Sequence, residues 1–189
     1  LQPVTLELYK PGSANTELAL TYASFGHWIT TEVIGGSNKP RVDQYFVYGF
    51  YTPTAMFAAR TGTAEYTGIA YGTGSTYTTG EKYAVTGSSK FVVDFSAAKL
   101  NATLVLAGKS MTSGSNLNFG SFDFAGKLSS YGATGEASFI RDQTTLGTIS
   151  ASFFGPDASE VAAPFYLNLP ANSVAPNTSI TGAAVAKRR

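Results

Sequence analysis

His27 is the only histidine of the chain, and there is no cysteine. An imidazole beside Trp28, with Tyr22 and Phe25 close by, could coordinate haem iron through a ring nitrogen. The alternative is plain packing, with Trp28 turned into the core and His27 pointing to solvent or a loop carbonyl. Neighbours on a strand face opposite ways, which suits that alternative. Hydrolytic chemistry finds less support. A nucleophile needs a base and a group that orients the base, and the sequence has no Gly-x-Ser-x-Gly elbow. One histidine without cysteine is a poor zinc donor set. The 12 acidic residues are scattered, and no loop carries the three that a calcium site would want. Asp123, Glu136 and Asp142 fall on neighbouring hairpins, where a glycosidase pair could form, but outward-facing acids that aid solubility explain them as well. Gly72-Thr73-Gly74 opens no helix and reads as a hairpin turn, not a phosphate cradle. The expectation is a protein that is not an enzyme and has no metal site or cofactor, haem through His27 being the one cofactor kept open.

The second candidate site is aromatic. Tyr45, Phe46, Tyr48, Phe50 and Tyr51 crowd one segment, followed by Met56, Phe57 and Arg60. Strand alternation puts Tyr45, Val47, Gly49 and Tyr51 on one face and Phe46, Tyr48 and Phe50 on the other. One face must be core. The other, if exposed, is the kind of apolar patch that marks a protein interface, where Tyr and Met are enriched. The partner-binding set is therefore Tyr45, Tyr48, Phe50, Tyr51, Met56, Phe57 and Arg60, with Thr52 to Arg60 as the loop beside it and Gly35 to Pro40 as a second contact loop. Packing alone is the competing explanation.

These residues need a scaffold, and composition says which kind. Aromatics make up 13% of the chain and there are 20 glycines, a mixture that favours pleated surfaces joined by tight turns. The formal net charge is +1 and 13% of residues are charged, too little basic surface to neutralise a nucleic-acid backbone. The one basic run, Lys187-Arg188-Arg189, reads as a solvated tail. No stretch of about 18 apolar residues offers a transmembrane helix. Polar positions such as Thr63, Glu65 and Thr67 on one strand face argue against a membrane-spanning barrel as well. No leader pattern opens the chain at Leu1, so any signal peptide is expected to have been removed.

Alternation marks the strands. Val4 to Tyr9 is one, closed by Pro11-Gly12. Glu17 to Thr30 is a long extended stretch with a bulge or bend expected at Gly26. Val42 to Tyr51, Gly62 to Tyr71, Phe91 to Phe95, Ala102 to Leu106 and Leu117 to Ala125 follow, the last with a bulge at Gly120. Gly135 to Ile140, Leu146 to Phe154, Phe165 to Leu169 and Ile180 to Ala186 complete the series. Only Pro156 to Glu160 has helical character, as a single turn. Many short strands joined by hairpin-length connections predict an all-β antiparallel up-and-down barrel of about eight strands, lipocalin-like in shape.

Three segments carry a family likeness: Gly62-Thr63-Ala64-Glu65-Tyr66-Thr67-Gly68, Phe153-Phe154-Gly155-Pro156-Asp157-Ala158-Ser159-Glu160-Val161-Ala162, and Gly182-Ala183-Ala184-Val185-Ala186-Lys187-Arg188. Together they resemble the barrel of transferrin-binding protein B and its relatives among Gram-negative surface proteins. Val161-Ala162-Ala163-Pro164-Phe165 departs from the family's usual Gly-Gly before the last aromatic, and Ala184 stands where an aromatic is common. The resemblance implies a barrel over 18–189 with residues 1–17 as an N-terminal strand or arm, and it shows no separate handle domain ahead of the barrel. It also implies a non-catalytic surface lipoprotein or secreted protein of iron acquisition, at the outer leaflet of the outer membrane or outside the cell. Its ligand would be a protein or an iron or haem carrier, with an outer-membrane receptor or a surface assembly as a further partner. Some secreted relatives of such barrels bind haem, which keeps His27 in view. An adhesive or structural subunit is the alternative role. Within the Phe-Gly-Pro segment, a phenylalanine would anchor the barrel mouth, Gly155 would permit a sharp turn, and Glu160 would cap backbone N–H groups or pair with a lysine.

Overall fold

The structure, a computed structural model, describes residues 4–34, 37–171 and 173–189. Two sheets account for nearly all of it. The N-terminal sheet has three antiparallel strands in the order β1 (Val4–Leu8), β2 (Ala23–Ile34) and β3 (Ser37–Gly49). A short helix, α1 (Thr54–Ala58), leads into a closed barrel. Its strands are β4 (Thr63–Thr76), β5 (Lys82–Asp94), β6 (Lys99–Ser110), β7 (Asn116–Leu128), β8 (Thr134–Arg141), β9 (Thr144–Phe154), β10 (Glu160–Leu169) and β11 (Thr178–Arg188). Each pairs with the next, and β11 closes on β4, so the barrel is the eight-stranded antiparallel meander that the strand spacing predicts.

The lumen is filled. On β6, Leu100, Ala102, Leu104 and Leu106 point inward, and they meet Phe91, Phe122, Phe124, Phe153 and Phe165 from other strands. Outward positions on β6 and β7 include Asn101, Lys109, Ser121, Asp123 and Lys127, all exposed. Closure leaves the wall without long free edges, which a chain so rich in β-formers requires. No helix among the described residues is long and apolar enough to cross a membrane.

One sector of the wall differs. Along β10 and β11 both faces are buried, over Glu160–Ala163 and Gly182–Ala186. The outward side chains Ala162, Ala183 and Val185 lie beneath Leu20, Ala23, Phe25 and Phe154 in a second core between the barrel and the N-terminal sheet. Small apolar residues in unbroken runs suit a strand covered on both sides. Pro164 is accommodated in β10 because the ladder to β9 is interrupted between Ala162 and Phe165.

Several local expectations need correction. The closed barrel begins at Thr63, not near Leu18, because β2 and β3 pair only within the N-terminal sheet. Residues 17–22 lie outside the strands, and β2 starts at Ala23. Gly26 is no bulge: it stays in register with Leu8 and Phe46, and the irregularity in β2 falls between Thr30 and Thr31. Ser37 to Pro40 belongs to β3 instead of a loop, while Gly35 and Gly36 lie outside the described residues. Gly72-Thr73-Gly74 lies within the C-terminal half of β4, where backbone approach from β11 leaves no room for a Cβ at Gly72. The segment after Pro53 forms α1, not an open loop. The bulge at Gly120 is present: the β6–β7 register shifts opposite it and its φ is +101°.

Candidate functional site

The N-terminal sheet has two unlike faces, set by strand alternation. One carries Ala23, Phe25, His27, Asp43, Tyr45 and Val47 and turns toward the barrel wall. The other carries Leu6, Leu8, Trp28, Phe46 and Tyr48 and turns away from it.

The away-facing side is a continuous aromatic and aliphatic platform. Trp28 and Phe46 lie 5.9 Å apart by ring centroids, as do Phe46 and Tyr48. The ring of Phe46 lies across Gly26, where a Cβ would collide both with it and with Leu8. Glycine here seats the ring. Val4 is 56% exposed, Leu6 43%, Leu8 55% and Trp28 40%, far more than isolated surface apolar residues require. Beyond β3, Phe50 and Tyr51 are exposed, Tyr51 stacking on Phe154 of the core between sheet and barrel at 4.7 Å, and Met56 is exposed on α1.

The structure therefore divides the sequence-derived set. Tyr48, Phe50, Tyr51 and Met56 are all exposed, Tyr48 on the away-facing side of the sheet. Phe57 leaves the surface: it is buried at the barrel mouth against Phe153 at 4.9 Å and Phe95 at 5.5 Å. Tyr45 faces the barrel, and its hydroxyl lies 3.0 Å from Thr73 Oγ1 on β4. Arg60 stacks its guanidinium over Phe95 at 5.5 Å. Leu6, Leu8 and Trp28 belong to the exposed platform and are absent from the sequence-derived set. The alternation in Val4 to Tyr9 was visible, but nothing local says that its apolar face stays uncovered.

His27 lies on the barrel-facing side, stacked on Tyr45 at 4.1 Å with the rings 7° from parallel. Trp28 points outward, the reverse of the packing alternative. The His27 Nε2–H donates to Asp43 Oδ1 at 3.1 Å, and Nδ1 lies 3.5 Å from Glu7 Oε2. Haem coordination through His27 would require one of these contacts to break. The hydrogen bond from His27 holds the Asp43 carboxyl below its usual range against the opposing effect of burial, and Lys82 of β5, at 3.9 Å, adds to it. Burial pushes the Tyr45 phenol up to about 12.

The Phe-Gly-Pro segment joins the two sheets. Phe153 enters the barrel core and Phe154 the outer one. Gly155 turns at φ +83°, a conformation that favours glycine. Glu160, fully buried, accepts backbone N–H groups of Thr21, Tyr22 and Ala23. The basic end of the chain is not a free tail. Arg188 is paired with Asp157 at 2.7 Å, and Arg189 Nη1 lies 3.5 Å from Glu65.

A barrel with a packed lumen and a side sheet clamped to its wall defines the class of fold. The sequence agrees: residues 57–188 match the model of the C-lobe and N-lobe beta barrels of Tf-binding protein B, and the chain belongs to that family. Solved structures share the fold. Transferrin binding protein B of serogroup B Neisseria meningitidis is 21% identical with a TM-score of 0.57, over 97% of this chain and 35% of that one. A double mutant of transferrin binding protein B from Haemophilus parasuis Hp5 is 18% identical with a TM-score of 0.59, over 98% and 37%. The N-lobe domain of lactoferrin binding protein B of Moraxella bovis is 17% identical with a TM-score of 0.54, over 98% and 80%. The chain thus spans about a third of the length of those two transferrin-binding structures. No curated protein matches.

Proposed function

We propose that this chain is a non-catalytic binding module at the surface of a Gram-negative bacterium, or released from it, and that it captures an iron-carrier protein. The platform of Leu6, Leu8, Trp28, Phe46 and Tyr48 is the contact surface, extended by Phe50, Tyr51 and Met56. The single observation that carries this reading is the sheet's asymmetry: one face is clamped to the barrel while the other leaves a joined set of large apolar side chains in water. Aromatic residues dominate the energetics of protein interfaces. Family membership supports the same reading, since relatives of this fold are named for binding transferrin and lactoferrin. A polar barrel exterior around an apolar lumen is the reverse of a membrane-spanning barrel, which supports a module that does not pass through the membrane.

The test is surface plasmon resonance with iron-loaded transferrin and lactoferrin, each passed over the immobilised chain and over the Leu6→Asp/Trp28→Asp variant. Binding of one carrier that falls at least about tenfold in the variant is the expected result. Binding of neither carrier, or binding that the variant leaves unchanged, would overturn the reading.

A further inference from the structure

On the barrel-facing side, a cleft of about 200 Å³ opens between the N-terminal sheet and the outer wall of β4. Its walls are Tyr9, Phe25, Tyr45 and Tyr71, with His27 at one end and Glu7 at the rim. We propose that this cleft binds the head group of a small organic cation, a quaternary ammonium or a protonated amine. Leu8, at the edge of the platform, also borders the cleft, while the four rings lie on the barrel-facing side.

Three observations fix the ligand class. First, four aromatic rings from two separate sheets converge. Phe25 and Tyr71 are 5.7 Å apart, Tyr9 and Tyr71 6.3 Å, and Tyr9 and Phe25 4.8 Å. Ring faces are electron-rich and attract cations. Second, the surrounding charge is negative. The Tyr71 and Tyr9 hydroxyls both donate to the carboxylate of Glu17, which enriches those rings further. Glu7 stands at the rim, 65% exposed. The nearby ammonium of Lys82 is turned to Asp43, which His27 also contacts. Third, the volume lies below the ~300–1,000 Å³ typical of sites for drug-sized ligands, so the cleft suits a single head group.

The experiment is isothermal titration of the whole chain with choline and with its neutral isostere 3,3-dimethylbutan-1-ol. Saturable choline binding, with the isostere weaker by about tenfold or more, is expected. Tyr71→Leu keeps apolar bulk and removes the ring, and it should weaken choline by about tenfold. Glu17→Gln should weaken it by a smaller factor, and Val105→Ser, at an exposed position on β6 two strands away from β4, should leave it unchanged. Should Tyr71→Leu fail to fold, the comparison of choline with its isostere on the unaltered chain decides alone. A phosphocholine arm separates the sources. Affinity equal to choline points to a head group carried on a larger molecule, and weaker affinity, from repulsion by Glu7, points to the free cation. Equal binding of choline and the isostere, or no choline binding by folded protein, would overturn the proposal.

Discussion

Glu160 and Ala23 stand 137 positions apart in sequence and 2.8 Å apart in space, the Ala23 N–H donating to Glu160 Oε2. The same carboxylate accepts Thr21 N–H at 2.7 Å and Tyr22 N–H at 2.8 Å, so one buried side chain at the start of β10 satisfies the backbone where the chain enters β2. Hydrogen bonds to a charged acceptor are among the strong ones, and three donors stranded without it would be costly. Glu160→Ala is expected to destabilise the protein by about 3 kcal/mol or more. Amide exchange should rise first at Thr21, Tyr22 and Ala23, and across β1 to β3, before it rises in β5 and β6. Uniform loss of protection over the whole barrel would mean that the clamp is not local.

Phe57 closes one end of the lumen. It is the only buried side chain of α1, and it packs on Phe95 and Phe153. Truncation leaves a cavity that the closed wall cannot collapse to fill, so Phe57→Ala is expected to cost about 3–5 kcal/mol in denaturant unfolding. Met56, one position earlier, is exposed, and Met56→Ala should stay within about 0.5 kcal/mol. Equal costs for the two would contradict the placement of α1.

Asp43 pairs with His27 within the N-terminal sheet and, through Lys82 of β5, ties that sheet to the barrel. Its folded pKa is depressed, so its contribution to stability is present above the ordinary value of 3.8 and is lost as pH falls through the lower folded value. Asp43→Asn should lower the thermal midpoint by a few degrees at neutral pH. The gap to the unaltered chain should close only under acid, below pH 3.8. A gap independent of pH would assign the loss to shape and not to charge.

The barrel was legible because its strands alternate inward apolar with outward polar residues, as in β6, where Leu100 to Leu106 sets the period directly. The same logic separated Tyr45 from Tyr48 correctly. It failed where a residue's role is decided by distant chain. Gly26 and Gly72 look alike in sequence to turn glycines, yet one seats the ring of Phe46 and the other lets β11 approach β4. The split between barrel and side sheet was hidden because β2 and β3 are as strand-like as any barrel strand. The doubly buried runs Val161-Ala162-Ala163 and Ala183 to Ala186 were its one readable trace. Glu160 was readable as a cap of backbone N–H groups or a partner of a lysine; the structure selects the cap, and which N–H groups it takes was not legible.

Tyr66 tests the barrel mouth by a different route. It is fully buried, donates to the Ala158 carbonyl at 2.7 Å, and burial pushes its phenol up to about 12. A phenol whose folded pKa lies above its unfolded 10.0 holds its proton more tightly when folded. Its stabilisation is therefore complete below pH 10 and declines as pH rises through about 12. Tyr45, raised to about 12 as well, adds to the decline. Tyr66→Phe should cost about 1–2 kcal/mol at neutral pH, because the Ala158 carbonyl loses its donor. Above pH 10 the variant should lose stability less steeply than the unaltered chain. Ultraviolet titration of the folded protein should show Tyr45, Tyr66 and Tyr71 ionising late, with one of the three missing in the variant. Ionisation of Tyr66 near the unfolded value of 10.0 would mean that the mouth around Ala158 is open to water and that Tyr66 does not hold it shut.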